Sequence, residues 1–237
     1  MKNYLAAALV AFLLSLVFCL LLIPVLRKLK AGQNILSYVK EHKGKSGTPT
    51  MGGLAFVLSA VLAEAVFLKK FDRVAVVSLT VGFAYLLVGL LDDVLKKKHK
   101  ENLGLKAWQK ALFQTFAAVF AGLFCVRAGL TTLNLPFTHK SVDIGWGMVP
   151  LAVFVFLATV NSVNLTDGLD GLAAGTSLPF FLSLGLLIAV QGSFPSLALL
   201  SFCLCGALAA YLIFNVSPAA VFMGDTGSLA LGGFASC

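Results

Sequence analysis

Seven stretches of this chain, at about 4–26, 51–68, 74–91, 107–126, 146–163, 172–190 and 196–214, each run for 18 residues or more with at most one charged residue inside. A helix rising ~1.5 Å per residue needs about 20 residues to cross a ~30 Å hydrocarbon core, so runs of this length read as membrane spans. Hydrophobic residues make up 59% of the 237 and the mean hydropathy is +0.96, above the ~45–50% apolar content of a soluble domain. Lipid offers the backbone no hydrogen-bond partners, which leaves helices as the economical way to satisfy it. The expected fold class is therefore all-α: a polytopic membrane helix bundle of about seven full spans. An eighth run starts at Leu229 and reaches Cys237 after nine residues, too few to span. We expect it to be the start of a further span in a single integral-membrane domain, 1–237, whose C-terminal spans lie beyond Cys237. The first run follows Lys2 directly and has no small-residue cleavage site, so it reads as a retained anchor.

Charge sets the orientation. Seven crossings put the loops 27–50, 92–106, 164–171 and 215–228 on one side, and these hold eleven Lys and Arg against six on the other. An excess of basic residues marks the cytoplasmic face. The same loops hold seven of the ten acidic residues, so the polar chemistry is expected to face the cytoplasm. The net charge of +8 is spread over short loops between spans, which points to anionic headgroups and phosphorylated ligands and to no nucleic acid. The opposite loop 130–145 has partial period-2 alternation and is expected to form a small hairpin. Cys19, Cys125, Cys203, Cys205 and Cys237 lack metal-site spacing and read as reduced packing residues.

Four polar clusters stand at the cytoplasmic ends. Lys45-Ser-Gly-Thr-Pro-Thr-Met-Gly-Gly53 precedes the second span, where Thr48 suits an N-cap and Pro49 a first helical turn. Asp92-Asp93 ends the third span, ahead of the basic run 96–100. Two adjacent acids at a helix C-terminus oppose each other and the helix dipole, so a cation is expected nearby, either those lysines or a divalent ion. Asn161, Asn164, Asp167 and Asp170 recur every three residues at the end of the fifth span, within Asn-Leu-Thr-Asp-Gly-Leu-Asp-Gly at 164–171. In a helical stretch they share one face and form a polar wall. Asn215 opens the fourth cluster, which runs through Phe222-Met-Gly-Asp-Thr-Gly-Ser228; Asp225 there suits either a cap for a helix starting at Ser228 or a metal carried by phosphates. Acids and phosphates repel, so joining them calls for a hard cation such as Mg²⁺.

These clusters resemble the polyprenyl-phosphate N-acetylhexosamine-1-phosphate transferases, and among them the bacterial branch that handles phospho-N-acetylmuramoyl-pentapeptide. The resemblance rests on Gly-Thr-Pro-Thr-Met-Gly-Gly at 47–53, Asn-Leu-Thr-Asp-Gly-Leu-Asp-Gly at 164–171 and Phe-Met-Gly-Asp-Thr-Gly-Ser-Leu-Ala-Leu-Gly at 222–232. It implies a ten-span parent fold in a bacterial inner (plasma) membrane, with a cytoplasmic active site. The implied reaction moves phospho-N-acetylmuramoyl-pentapeptide from its UDP carrier to undecaprenyl phosphate, giving lipid I and UMP. The resemblance also makes Asp92, Asp93 and Asp225 the catalytic acids, with Asp225 the Mg²⁺ ligand. Lys45, Thr50, Asn164, Asp167, Gly168, Leu169, Asp170, Asn215 and Phe222 match substrate-binding positions, Lys96 and Lys110 are expected to meet phosphates, and a homodimer is compatible with the family.

Asp92 is expected to deprotonate or orient the lipid phosphate, while a covalent route through an aspartate stays open at this level. Two other readings compete: a UDP-N-acetylglucosamine-1-phosphate transferase of the same superfamily, and a cation-coupled transporter. Glu64 is the one acid well inside a span, and no internal repeat supports transport.

Overall fold

Each apolar run folds as a helix. The computed structural model describes residues 1–29, 47–68, 72–98, 104–135 and 140–237. Among them lie eight helices: α1 (Lys2–Lys28), α2 (Gly53–Phe67), α3 (Arg73–Lys98), α4 (Ala107–Ala128), α5 (Met148–Thr166), α6 (Leu172–Gln191), α7 (Pro195–Asn215) and α8 (Gly224–Ala235). Six of them, all but α2 and α8, are long and apolar enough to cross a membrane. The hairpin expected over 130–145 is present as β1 (Thr132–Asn134) and β2 (Ser141–Asp143), antiparallel with Leu133 opposite Val142.

The second segment differs from the expectation of a seventh full span, because only 15 of its residues are helical, about 22 Å at 1.5 Å per residue. The reason lies in 47–53. Thr48 does not cap a helix and Pro49 is not in a first turn; the residues ahead of Gly53 are non-helical and pair with the loop before α8. Phe222 N–H donates to Pro49 O at 2.8 Å, Gly52 N–H to Phe222 O at 2.9 Å and Gly53 N–H to Met223 O at 3.1 Å. Met51 sits at φ 71°, a conformation costly for a side chain with a Cβ and common where function dictates the backbone.

Helix α1 shows how these sequences pack without a polar–apolar contrast. Its buried residues Ala7, Ala11, Ser15, Cys19, Ile23 and Leu26 recur every three or four positions, a stripe of mostly small side chains that lets backbones approach. The stripe lies on α7, where Ser15 Oγ donates to Ala207 O at 2.8 Å. Buried side chains occur all round α7, which makes it the central post. Tyr85 and Phe156 stack in a second core cluster beside it, with ring centroids 5.8 Å apart.

Helix direction decides where polar groups meet. A cavity of about 600 Å³ is lined by Met1, Lys2, Phe67, Asp72, Pro195 and Ser196, so one end of the bundle holds the starts of α1, α3 and α7 and the finish of α2. The opposite end receives the C-termini of α3 and α5 and the N-termini of α2, α4 and α8. Short α2 therefore still runs from one end to the other.

Candidate active site

At that opposite end, Asp92 and Asp93 come from the last turns of α3, Lys110 from the first turn of α4, Asn164 from the last turn of α5 and Asp225 from the first turn of α8. One oxygen from each of Asp92, Asp93 and Asp225 lies within 4.8 Å of the other two. Asp92 is 2% exposed and Asp93 6%, so their charges need close partners.

Each acid has a distinct set. Asp92 Oδ1 accepts the Leu105 N–H at 2.6 Å, and Asp92 Oδ2 meets Lys96 Nζ at 2.6 Å, one helical turn on. Asp225 Oδ2 meets Lys110 Nζ at 2.5 Å and Lys96 Nζ at 3.1 Å, and its Oδ1 accepts the Asn164 amide at 3.0 Å. Asn164 Nδ2 also reaches Ser228 Oγ at 2.8 Å. Asp93 faces the backbone of α8, accepting the Asp225 N–H at 3.2 Å, the Thr226 N–H at 2.9 Å and the Thr226 hydroxyl at 2.6 Å. The close approach of α3 and α8 depends on Gly89, where a Cβ would collide with the Asp225 carbonyl.

Asp167 completes the group. It caps the C-terminus of α5, and burial pushes its carboxyl up to about 8, reinforced by the charges of Asp225 and Asp93 and opposed by the Gly224 N–H. A neutral acid beside ionised ones is the expected result when several carboxyls share one pocket.

The sequence expectations divide on this geometry. Asp92, Asp93, Asp225, Lys96, Lys110, Asn164 and Asp167 come together. The polar wall read from three-residue spacing holds only within the helix, because α5 ends at Thr166. Asn161 turns to Gln114 Oε1 at 3.0 Å and to Leu157 O. Asp170 Oδ2 accepts the Ala219 N–H at 3.3 Å. Gly168 and Leu169 are exposed in the turn, while Thr50 and Phe222 are half-buried. Both ends of the Asn215 amide are spent on backbone, taking the Gly171 N–H and donating to Val221 O. Lys45 lies outside the described residues. Helix α8 starts at Gly224 rather than near Ser228, which places Asp225 inside the first turn.

Sequence reading passed over Thr226, Ser228 and Gln114. The first two carry a legible signal, being hydroxyls within three residues of the acid at a helix start. Gln114 carries none: it is fully buried in α4, its Nε2 has no hydrogen-bond partner among the described residues, and only the fold shows that it faces Asn161.

The donor set is oxygen only, which favours a hard cation over a thiolate-seeking one. Asp92 and Asp225 meet lysine ammonium groups here, so their oxygens already point where positive charge is stabilised. A site of this kind, acids and lysines gathered at one end of a helix bundle, defines a multi-pass membrane protein with a polar, oxygen-rich end able to hold a metal ion.

Comparison with known proteins places it within that class. The profile of Glycosyl transferase family 4 matches residues 75–237, and the first signature of the phospho-N-acetylmuramoyl-pentapeptide-transferases matches residues 45–57. A phospho-N-acetylmuramoyl-pentapeptide-transferase of Clostridium novyi (strain NT) is 43% identical over 231 residues, covering 96% of this chain and 70% of the relative. One from Bacillus subtilis (strain 168) is 43% identical over 230 residues, covering 95% and 71%. The chain belongs to Glycosyl transferase family 4 and, within it, to the phospho-N-acetylmuramoyl-pentapeptide-transferases. It spans about 70% of the length of these relatives.

Proposed function

We propose that this chain transfers phospho-N-acetylmuramoyl-pentapeptide from a UDP-linked donor to undecaprenyl phosphate, producing lipid I and UMP for peptidoglycan synthesis, with Mg²⁺ as its cofactor. The observation that carries the reading is the convergence of Asp92, Asp93 and Asp225 with Lys96 and Lys110 at one end of an apolar bundle. A reaction that exchanges one pyrophosphate linkage for another changes bond energy little. Its barrier is the approach of two anions, so positioning and charge stabilisation supply most of the catalysis.

Asp225, with Asp92 beside it, would hold Mg²⁺, which when bound neutralises the diphosphate and polarises its phosphorus–oxygen bonds. Asn164 orients Asp225 through Oδ1, leaving Oδ2 toward the lysines. Lys96 and Lys110 then exchange a carboxylate partner for phosphate oxygens as substrate arrives. Asp92 stands at the end of a membrane helix, where a lipid phosphate would come to rest, and takes up its proton or orients it. Phe222, its backbone pinned to Pro49 and Gly52, offers a ring for uracil stacking. Thr50, Asp167, Gly168, Leu169 and Asp170 frame the donor beside it. The site faces the cytoplasm of a bacterial inner membrane, the chain acts as one transferase domain, and the assembly is a homodimer.

The test is turnover of the UDP-linked donor by membranes carrying the full chain. Asp225→Ala should lower Mg²⁺-dependent lipid I formation by about 10²-fold or more, the scale of losing a transition-state charge partner, while the helical circular dichroism stays intact. Near-normal turnover in that variant would remove the metal assignment.

A further inference from the structure

Helix α8 begins without a cap of its own. Met223 occupies its N-cap position and makes no side-chain hydrogen bond, yet the first amides of a buried helix cannot be left unpaired. The missing acceptor is supplied from α3: Asp93 Oδ1 takes the N–H of Asp225, and Asp93 Oδ2 takes both the N–H and the hydroxyl of Thr226. Thr226 is fully buried and Asp93 nearly so, so neither has water as a substitute. Three donors on one carboxylate, at the positive end of a helix dipole, fix the orientation of a buried acid.

We infer that Asp93 is a positioning residue rather than a metal ligand or base: it caps α8 in trans and thereby holds the backbone of Asp225 against α3. The inference deepens the transferase reading and rests on it for the role of Asp225. The adjacent acids of α3 then have separate duties. Asp92 faces Lys96 and the site, whereas both oxygens of Asp93 are committed to the helix start. Asp225 is held at two levels, its backbone by Asp93 and its side chain by Asn164. A displacement of 1 Å at such a group costs much of the rate even when nothing that touches substrate has changed.

The test uses purified full chain in detergent, with Asp93→Asn, Thr226→Val, their double variant, Thr226→Ser and, as the metal-ligand comparison, Asp225→Asn. Three quantities are read: thermal melting, Mn²⁺ binding by electron paramagnetic resonance, and turnover against KM for the UDP-linked donor. Thr226→Val and Asp93→Asn should each lower the melting temperature and cut turnover about 10–100-fold, the scale of one hydrogen bond to a charged group, with KM little changed. The double variant should be no worse than Asp93→Asn alone, since both break the same contact, and Thr226→Ser should stay within about threefold of the parent because it keeps the hydroxyl. Mn²⁺ binding should survive in Asp93→Asn and vanish in Asp225→Asn.

A Thr226→Val variant with parental melting and turnover, or an Asp93→Asn variant that loses Mn²⁺ as completely as Asp225→Asn, overturns the inference. Should the parent chain make no lipid I at all, the transferase reading fails, and the melting and Mn²⁺ arms still decide whether Asp93 acts through the cap.

Discussion

Asp167 holds its proton through neutral pH, while an unfolded aspartate releases it near ~3.9. Burial is the main cause, with Asp225 and Asp93 adding repulsion. The folded state therefore binds more protons than the unfolded chain between about 4 and 8, so stability falls as pH rises through that window, and the loss is complete above about 8. Metal-free protein should melt lower at pH 8.5 than at pH 5, and Asp167→Asn should flatten the difference; parallel melting profiles for the two proteins would contradict this. Spacing in the sequence marked Asp167 as a polar-wall residue. It had no means of showing that the helix would stop one residue earlier, turning a ligand-facing acid into a protonated neighbour of Asp225.

Among the elements, α8 departs most from its sequence. A nine-residue apolar remnant beginning at Leu229 reads as a fragment of a span, yet the helix starts at Gly224 and fills the space between α2, α3 and α5. It fits because glycines on both sides remove side chains from the contact: Gly53 meets Gly227, and Gly89 meets the backbone of Asp225. Gly89→Ala should destabilise by about 1–3 kcal/mol through overpacking and should reduce activity by moving Asp225. Gly175→Ala in α6 meets nothing within 4 Å and should stabilise by about 0.5–1 kcal/mol through helix propensity. Thermal melting of the two variants side by side checks both signs. Sequence shows where glycines lie, but which of them are contacts and which are empty surface depends on the neighbouring helix.

For the whole molecule, the topology proposed from the alternation of spans and the bias of Lys and Arg has the acid-and-lysine end in the cytoplasm and the β1–β2 hairpin outside. Leu169 is exposed in the turn after α5 and Val142 in the hairpin, so each offers a reporter for one face. Val142→Cys should be labelled by a membrane-impermeant thiol reagent in intact cells. Leu169→Cys should be labelled only after permeabilisation, both read against the parent chain with its native cysteines. The reverse pattern would invert the topology.

Hydropathy alone determined that this chain is a helical membrane protein, because lipid leaves the backbone only helices or closed barrels, apolar runs of about 20 residues suit the helix, and run length is a local property. Motifs at 47–53, 164–171 and 222–232 determined the family, since Gly, Asn and Asp at fixed spacing are written along the chain. Tertiary structure decided the rest: which acid faces lysines, which caps a helix from another segment, which asparagine is spent on backbone, and that Pro49 pairs with a distant loop instead of starting a helix. Several of those outcomes depend on partners more than a hundred residues away, such as Asp93 and Thr226, and no local pattern encodes a pairing that exists only once the helices have packed.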